Sequence, residues 1–278
     1  MFRIDSHQHF WKFDPVRDRW IDETMAVIQR DFLPEDLAPV LDENGIDGCV
    51  AVQADQSEAE NDFLLECAAG NDFVKGVVGW VNLRSPELEQ RLEYYSGIKK
   101  MKGFRHVLQG ETERDLMLFP DFMDGIQALK KYDFTYDILI FPDQLKFIPT
   151  FVKAFPDQKF VLDHIAKPYI KDKRVEKWAN EMSMLAGFEN VYCKVSGMVT
   201  EAKWLDWETE DFTPYLDVVF ETFGSKRVMF GSDWPVCNVA GGYAKVVSIA
   251  QNYTARLSAD EQADFWGNNA VRFYGLDG

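Results

Sequence analysis

Ile4-Asp5-Ser6-His7-Gln8-His9-Phe10-Trp11 carries the first apolar run of the chain, residues 2–5, straight into two histidines. On a strand alternate side chains share a face, so Asp5, His7 and His9 are expected on one side and Ile4, Ser6 and Gln8 on the other. The arrangement recurs downstream. His106 and His164, the other two histidines, close the runs 100–107 and 159–165, and Asp233 follows the run 227–232. Polar residues gathered at the C-terminal ends of strands are what a (β/α)₈ barrel uses to build its active site. Histidines that only hydrogen-bond inside a core have no reason to prefer those positions.

Eight apolar runs punctuate the sequence, at 2–5, 46–54, 74–81, 100–107, 135–140, 159–165, 191–197 and 227–232. Most are rich in Val, Ile and Phe without strict alternation, as parallel strands covered on both faces require. Helical patterns lie between them at 34–44, 57–70, 86–95, 120–131, 142–155, 174–187, 213–223 and 241–255, with a last one at 258–271. Gly45 suits a helix stop, while Ser57 with Glu60 and Ser258 with Glu261 fit capping boxes. The expected fold is therefore α/β, a TIM barrel occupying residues 1–278 as a single domain. A doubly wound sheet would show a glycine-rich phosphate loop after its first strand, where this chain places histidines.

The balance of 30 Lys+Arg against 46 Asp+Glu, a net charge of −16, repels nucleic acid and anionic membranes. Cys49, Cys67, Cys193 and Cys237 are widely spaced, form no C-x-x-C pair, and read as reduced thiols of a cytoplasmic protein. The N-terminus lacks a charged stretch leading into an apolar one, and no apolar run approaches the ~20 residues of a membrane span. The expected partner is a small-molecule substrate, with neither nucleic acid nor membrane, and a homo-oligomer is compatible with the sequence.

His7 and His9 converging from one strand face can hold a metal ion. His164 ends its run just before Lys167-Pro168, in the loop where a substrate would approach. Arg105 sits beside His106, and a guanidinium next to an imidazole can polarise a carbonyl and neutralise an oxyanion. Gly231-Ser232-Asp233-Trp234-Pro235 sets a carboxylate at the end of the eighth run, where it can act as general base on water. The expected catalytic residues are thus Asp233, His164 and His106, with Arg105 as substrate anchor. Lys194 and Ser196 share a strand face near the rim and, with Trp11 and Trp234, are expected to contact substrate; a structural role for Lys194 and Ser196 is the alternative. No G-x-S-x-G elbow, G-x-x-x-x-G-K-[ST] loop or paired C-x-x-C occurs, so acyl-serine, nucleotide-driven and zinc-ribbon chemistry fall away.

Asp5-Ser6-His7-Gln8-His9-Phe10-Trp11, Gly103-Phe104-Arg105-His106-Val107, Leu162-Asp163-His164 with Lys167-Pro168, Gly231-Ser232-Asp233-Trp234-Pro235 and Asn269-Ala270-Val271-Arg272-Phe273-Tyr274 together resemble the amidohydrolase superfamily, in order and over essentially the whole chain. More narrowly they resemble its amidohydrolase-related branch of sugar-acid and pyrone lactonases, built on a distorted TIM barrel. The resemblance implies opening of a sugar-derived lactone of the L-fucono- or L-rhamnono-lactone type to its hydroxy acid. The chain departs from the superfamily's two-metal pattern: its fourth run ends in Arg105-His106 where a bridging lysine is usual, and its fifth in Ile138-Leu139-Ile140 where a histidine is usual. What the resemblance leaves is a single divalent ion, zinc or manganese, held by His7, His9, His164 and Asp233, bindable but dispensable. Two rival functions stand beside this reading: non-oxidative decarboxylation of aromatic acids, known from the same superfamily, and a non-catalytic sugar-binding barrel.

Overall fold

The computed structural model describes residues 1–277. Eight parallel strands lie in the order β1-β2-β3-β4-β5-β6-β7-β8. They are β1 Ile4–Gln8, β2 Gly48–Val52, β3 Val74–Gly79, β4 Met101–His106, β5 Thr135–Ile138, β6 Phe160–Leu162, β7 Val191–Val195 and β8 Val228–Phe230. The sheet meets itself where the end of β1 reaches the segment after β8: Asp233 N–H donates to the His7 carbonyl at 2.8 Å, and His9 N–H to the Trp234 carbonyl at 2.7 Å. Each of the eight runs is a strand, and the TIM-barrel architecture expected from their number is the one observed.

Helices between the strands form the outer layer, among them α1 Pro34–Asn44, α2 Glu58–Gly70, α3 Leu88–Ser96 and α4 Pro120–Lys131. Local chemistry sets their ends. Gly45 takes the left-handed conformation that stops α1 (φ 65°), and the Ser57 hydroxyl accepts from the Glu60 N–H at the start of α2. The Glu60 carboxylate does not close that box but turns to the Ala54 N–H at 3.0 Å. The 142–155 helix is shorter than its pattern: Pro142–Phe147 is a 3₁₀ turn leading into α5 Ile148–Lys153, as a second proline at 149 interrupts the hydrogen-bond ladder. The outer layer continues through α6 Glu176–Ser183, a short α7 Met198–Glu201 in the loop after β7, α8 Thr213–Phe223 and α9 Tyr243–Thr254. The 258–271 pattern is broken by a π turn at Asp264–Asn268 between α10 Ala259–Ala263 and α11 Asn269–Tyr274.

The barrel interior has two zones. Its floor is apolar: Ile4, Val50, Val52, Val78, Val161 and Met229 from the strands pack against Ala270, Phe273, Tyr274 and Leu276 at the C-terminal end of the chain. Above it lies a buried charge cluster. The Lys194 ammonium is 2.5 Å from Asp137 Oδ2 and 3.0 Å from Asp163 Oδ1, and Arg105 Nη1 donates to Asp163 Oδ2 at 3.0 Å. Tyr274 closes the group from below, donating to Asp137 at 2.8 Å. Four consecutive strands, β4 to β7, supply or lead directly into these four charges.

Asp5 departs from its expected place beside His7 and His9. Pairing of β1 with β2 runs Asp5 to Cys49 and then Gln8 to Ala51, so β1 spends one residue more than its neighbour. Such a bulge resets the alternation of faces. Asp5 therefore points into the helix layer, where it accepts from the Ser232 hydroxyl at 2.5 Å and the Tyr243 hydroxyl at 3.0 Å, while His7 turns inward onto Asp163.

Replacing Lys194 with methionine removes a cation from two buried carboxylates. Urea unfolding of Lys194→Met is expected to show a loss of ~3–5 kcal/mol, the usual cost of leaving a buried charge without its partner. A loss within the range of ordinary surface substitutions would show that the cluster does not hold the barrel.

Candidate active site

A cavity of about 300 Å³ opens at the C-terminal end of the barrel, lined by His9, Trp20, Arg105, Leu139, His164, Lys167, Asp233 and neighbouring loop residues. Asp233 is held on a left-handed backbone (φ 59°) by the amide bond to His7 that closes the barrel. His164, Ile165, Ala166 and Lys167 are four successive non-glycine residues with φ between 48° and 58°. Each such residue costs on the order of 1 kcal/mol. Strain of this kind persists only where the surroundings over-determine it, and it gathers at functional sites.

Close packing explains two glycines. A Cβ on Gly197 would lie 2.5 Å from the His164 ring, in a left-handed position besides, and one on Gly231 would lie 2.8 Å from the His7 Cβ. Both let the β7 and β8 loops press against the two imidazoles. Ser196 holds the His164 ring through Nδ1 at 2.9 Å, and the Val52 carbonyl holds His9 through Nδ1 at 2.7 Å. On the cavity side, Asp233 Oδ1 is 3.3 Å from His9 Nε2 and 3.9 Å from His164 Nε2.

Burial decides the protonation of this group. Desolvation pushes the pKa of His164 and of His7 well below the usual imidazole value, so both rings stay neutral. Burial by itself would raise Asp233, but its interactions with the His164 and His9 rings, a hydrogen bond from His9 among them, prevail and bring it below the ordinary carboxylate value. Asp163 is likewise buried, and Lys194, His7 and Arg105 hold it well below its usual range. The mouth of the barrel thus presents an ionised carboxylate beside the neutral His164 ring, which is the pairing a general base on water needs.

The donor set also fits a metal ion. One ligand atom each from His7, His164 and Asp233 lie within 4.8 Å of one another. His164 has its other ring nitrogen on Ser196, and His7 has Nδ1 3.2 Å from Asp163 Oδ1. Two imidazoles and a carboxylate, with outer partners on the rings, match the three-ligand zinc site that leaves a position open for water or substrate. His9, expected as a fourth ligand, is not part of that group.

Several expected site residues lie elsewhere. His106 is on the face of β4 opposite Arg105, as strand alternation demands, and pairs with Glu111 at 2.7 Å against the edge of Phe122. That position leaves it outside the residues that line the cavity. Lys194 does not reach the rim; it is fully buried in the charge cluster. Ser196, also fully buried, touches His164 instead of the cavity. Trp11 and Trp234 pack edge-on against Phe32, and the tryptophan that lines the cavity is Trp20. Arg105 does line it, although its Nη atoms are taken by Asp163, His7 and Gln53. The sequence assigns no role to Asp137, Gln53 or Asp163, the last of them inside the Leu162-Asp163-His164 motif, although an acid inside an apolar strand, as in Thr135-Tyr136-Asp137-Ile138, is itself a signal that a buried cation faces it.

Residues 4–276 match the amidohydrolase family. The chain is a member of that family. Two relatives are each described as an L-fucono-1,5-lactonase: one from Burkholderia multivorans is 38% identical over 99% of this chain and 96% of its own length. The other, from Burkholderia ambifaria, is 36% identical with the same coverage. A crystal structure of a Burkholderia multivorans amidohydrolase with bound zinc superposes with a TM-score of 0.95 at 38% identity, covering all of both chains. Among the described residues no helix of this amidohydrolase is long and apolar enough to cross a membrane.

Because burial lowers the pKa of both rings, His7 and His164 gain protons only below the normal imidazole range. NMR titration of the metal-free protein should find both rings still neutral at the ordinary imidazole midpoint, with no transition near ~6.5. A midpoint at that value for His164 would mean that the ring is far more hydrated than the packing around it allows.

Proposed function

We propose that this amidohydrolase opens a sugar-derived lactone, of the L-fucono- or L-rhamnono-lactone type, to its hydroxy acid. The observation that carries the reading is the ionised Asp233 beside a neutral His164 at the mouth of a sugar-sized cavity. The full-length likeness to two L-fucono-1,5-lactonases supports it. Asp233 removes a proton from water as the oxygen attacks the lactone carbonyl; the tetrahedral oxyanion collapses, the ring C–O bond breaks, and the leaving alkoxide takes that proton from Asp233, which is left ionised again. The gap of 3.9 Å between Asp233 and His164 is one that a water hydrogen-bonded to both would span. We read residues 1–278 as a single catalytic domain acting on a small molecule in the cytoplasm.

One divalent ion, zinc by preference, fits His7, His164 and Asp233, and when bound it would supply electrophilic polarisation of the carbonyl. The protein's own groups also serve without it. Arg105 Nη1 stands 3.2 Å from His7 Nε2, offering that nitrogen a partner of its own. Ser196, whose hydroxyl either donates or accepts, supports both tautomers of His164: one with a lone pair on Nε2 for an ion, the other with an N–H for a substrate oxygen. Two tautomers on one scaffold make the ion bindable yet dispensable.

The cavity's cationic side chains are Arg105 and Lys167, and Arg17 is paired with Asp18 at 2.8 Å. Neutral polyol lactones should therefore be turned over in preference to a dicarboxylated pyrone, which calls for several bidentate arginine contacts. A pH-indicator screen across both classes checks this, and carbon dioxide release from aromatic acids in place of acid release from lactones would replace the reaction class.

Asp233→Asn is expected to fold normally and lose ~10²-fold or more in kcat; near-wild-type turnover would remove Asp233 as the base. Stripping metal with a chelator should leave at most one ion site per chain to refill and a substantial fraction of the lactonase rate. Complete loss of activity restored by one equivalent of zinc would make the ion obligatory.

A further inference from the structure

We propose that Lys167 is a further catalytic residue, the cation that receives the negative charge of the opening lactone and then holds the carboxylate of the product. The inference rests on the lactonase reading of this site. Hydrolysis creates an oxyanion and then a carboxylate next to Asp233, which is itself an anion at the start and the end of each turnover. Two like charges at that range need a cation between or beside them.

The interior cations are already committed. Lys194 is surrounded by Asp137, Asp163 and His7 Nδ1 within 3.1 Å, and the Arg105 Nη atoms serve Asp163, His7 and Gln53. Lys167 is placed differently. It lines the same cavity as Asp233 and His164, and its carboxylate neighbour, Glu201, is 3.7 Å away. That is well beyond the ~2.7–2.9 Å of a charge-assisted hydrogen bond, so its ammonium keeps donors to give. Side-chain exposures of 17% for Lys167 and 22% for Glu201 keep both out of bulk water. The ammonium also lies 5.7 Å above the Phe141 ring, an apolar wall that leaves its charge poorly screened on that side.

The backbone explains why the lysine holds this position. Lys167 ends the left-handed stretch that begins at His164, and its N–H donates to the His164 carbonyl at 2.8 Å. The ammonium and the imidazole are therefore fixed to one another by a four-residue turn, and Pro168 stiffens the exit. The strain of residues 164–167 acquires a purpose: it directs two substrate-facing side chains from one turn into one cavity. Glu201 then acts as a resting partner for Lys167, one that the stronger, closer charge of the product displaces.

The test compares the wild type with Lys167→Met and Lys167→Arg, all three able to adopt the same left-handed backbone at equal cost. Lys167→Met should lose ~10²-fold in kcat on the preferred sugar lactone and bind L-fuconate, followed by calorimetry, at least ~10-fold more weakly, with zinc affinity unchanged. Lys167→Arg should recover most of both. If Lys167→Met matches the wild type in kcat and in L-fuconate affinity, the role given to Lys167 is wrong while the lactonase reading stands. If the wild type opens no sugar lactone but binds L-fuconate through Lys167, the lactonase reading fails and the anion site remains. A wild type that binds no L-fuconate, or an effect of Lys167→Met on thermal stability alone, also overturns the proposal.

Discussion

The carboxylate of Asp163 ties this barrel together. It sits just past β6, fully buried, and meets Lys194 from β7, Arg105 from β4 and the His7 ring from β1. A lone carboxylate there would carry a desolvation penalty of several kcal/mol, and so would either cation. The three become tolerable only together, with Asp137 taking up the remaining valence of Lys194. Satisfying them requires β4, β5, β6 and β7 to keep one relative register, since a slip of one residue would turn a charge into the helix layer. The cluster therefore specifies the geometry of the barrel as well as filling its centre, and it reaches the cavity above through Arg105.

That dependence separates what the sequence reveals from what it conceals. The eight strands, the closing glycine of α1 and the position of Asp233 and His164 at strand ends follow from local patterns, because hydrophobic runs and turn residues report their own backbone. Which way a residue faces is less local. The bulge in β1 cannot be seen in Asp5-Ser6-His7-Gln8-His9; it exists because β2 is one residue shorter between the paired positions, and it sends Asp5 away from His7. His106 is the opposite case. Its neighbour Arg105 must face inward, so alternation alone puts His106 outside, and the signal was present in the pair. Lys194 and Ser196 were legible as sharing a face, but their depth depends on where β7 sits along the barrel axis, which only the assembled sheet decides.

Distribution of charge across the site follows a gradient of commitment. Deep in the barrel each ion has two or more partners and no freedom; at the rim Asp233 is flanked by the His9 and His164 rings and Lys167 has a distant, replaceable carboxylate. A chemical step needs groups whose interactions change during reaction, and such groups cannot also be the ones that hold the fold. On the proposed mechanism the amidohydrolase separates the two by height: structural ions below, reacting groups above, with His7 and Arg105 at the boundary.

His7 shows what that boundary allows. Its Nδ1 faces Asp163 and Lys194, which anchor it to the structural cluster, while its Nε2 faces Arg105, and the ring offers one nitrogen to the group formed with His164 and Asp233. The ring is neutral because burial penalises its charged form, so a nitrogen lone pair faces Arg105 when the other nitrogen directs its proton to Asp163. A single anchored imidazole can then present the same lone pair to a guanidinium or to a metal ion without any rearrangement below it. Tolerance toward the ion is, on this view, a consequence of the charge cluster: the lower half of the site is held by fixed charges and does not need an ion to keep its shape.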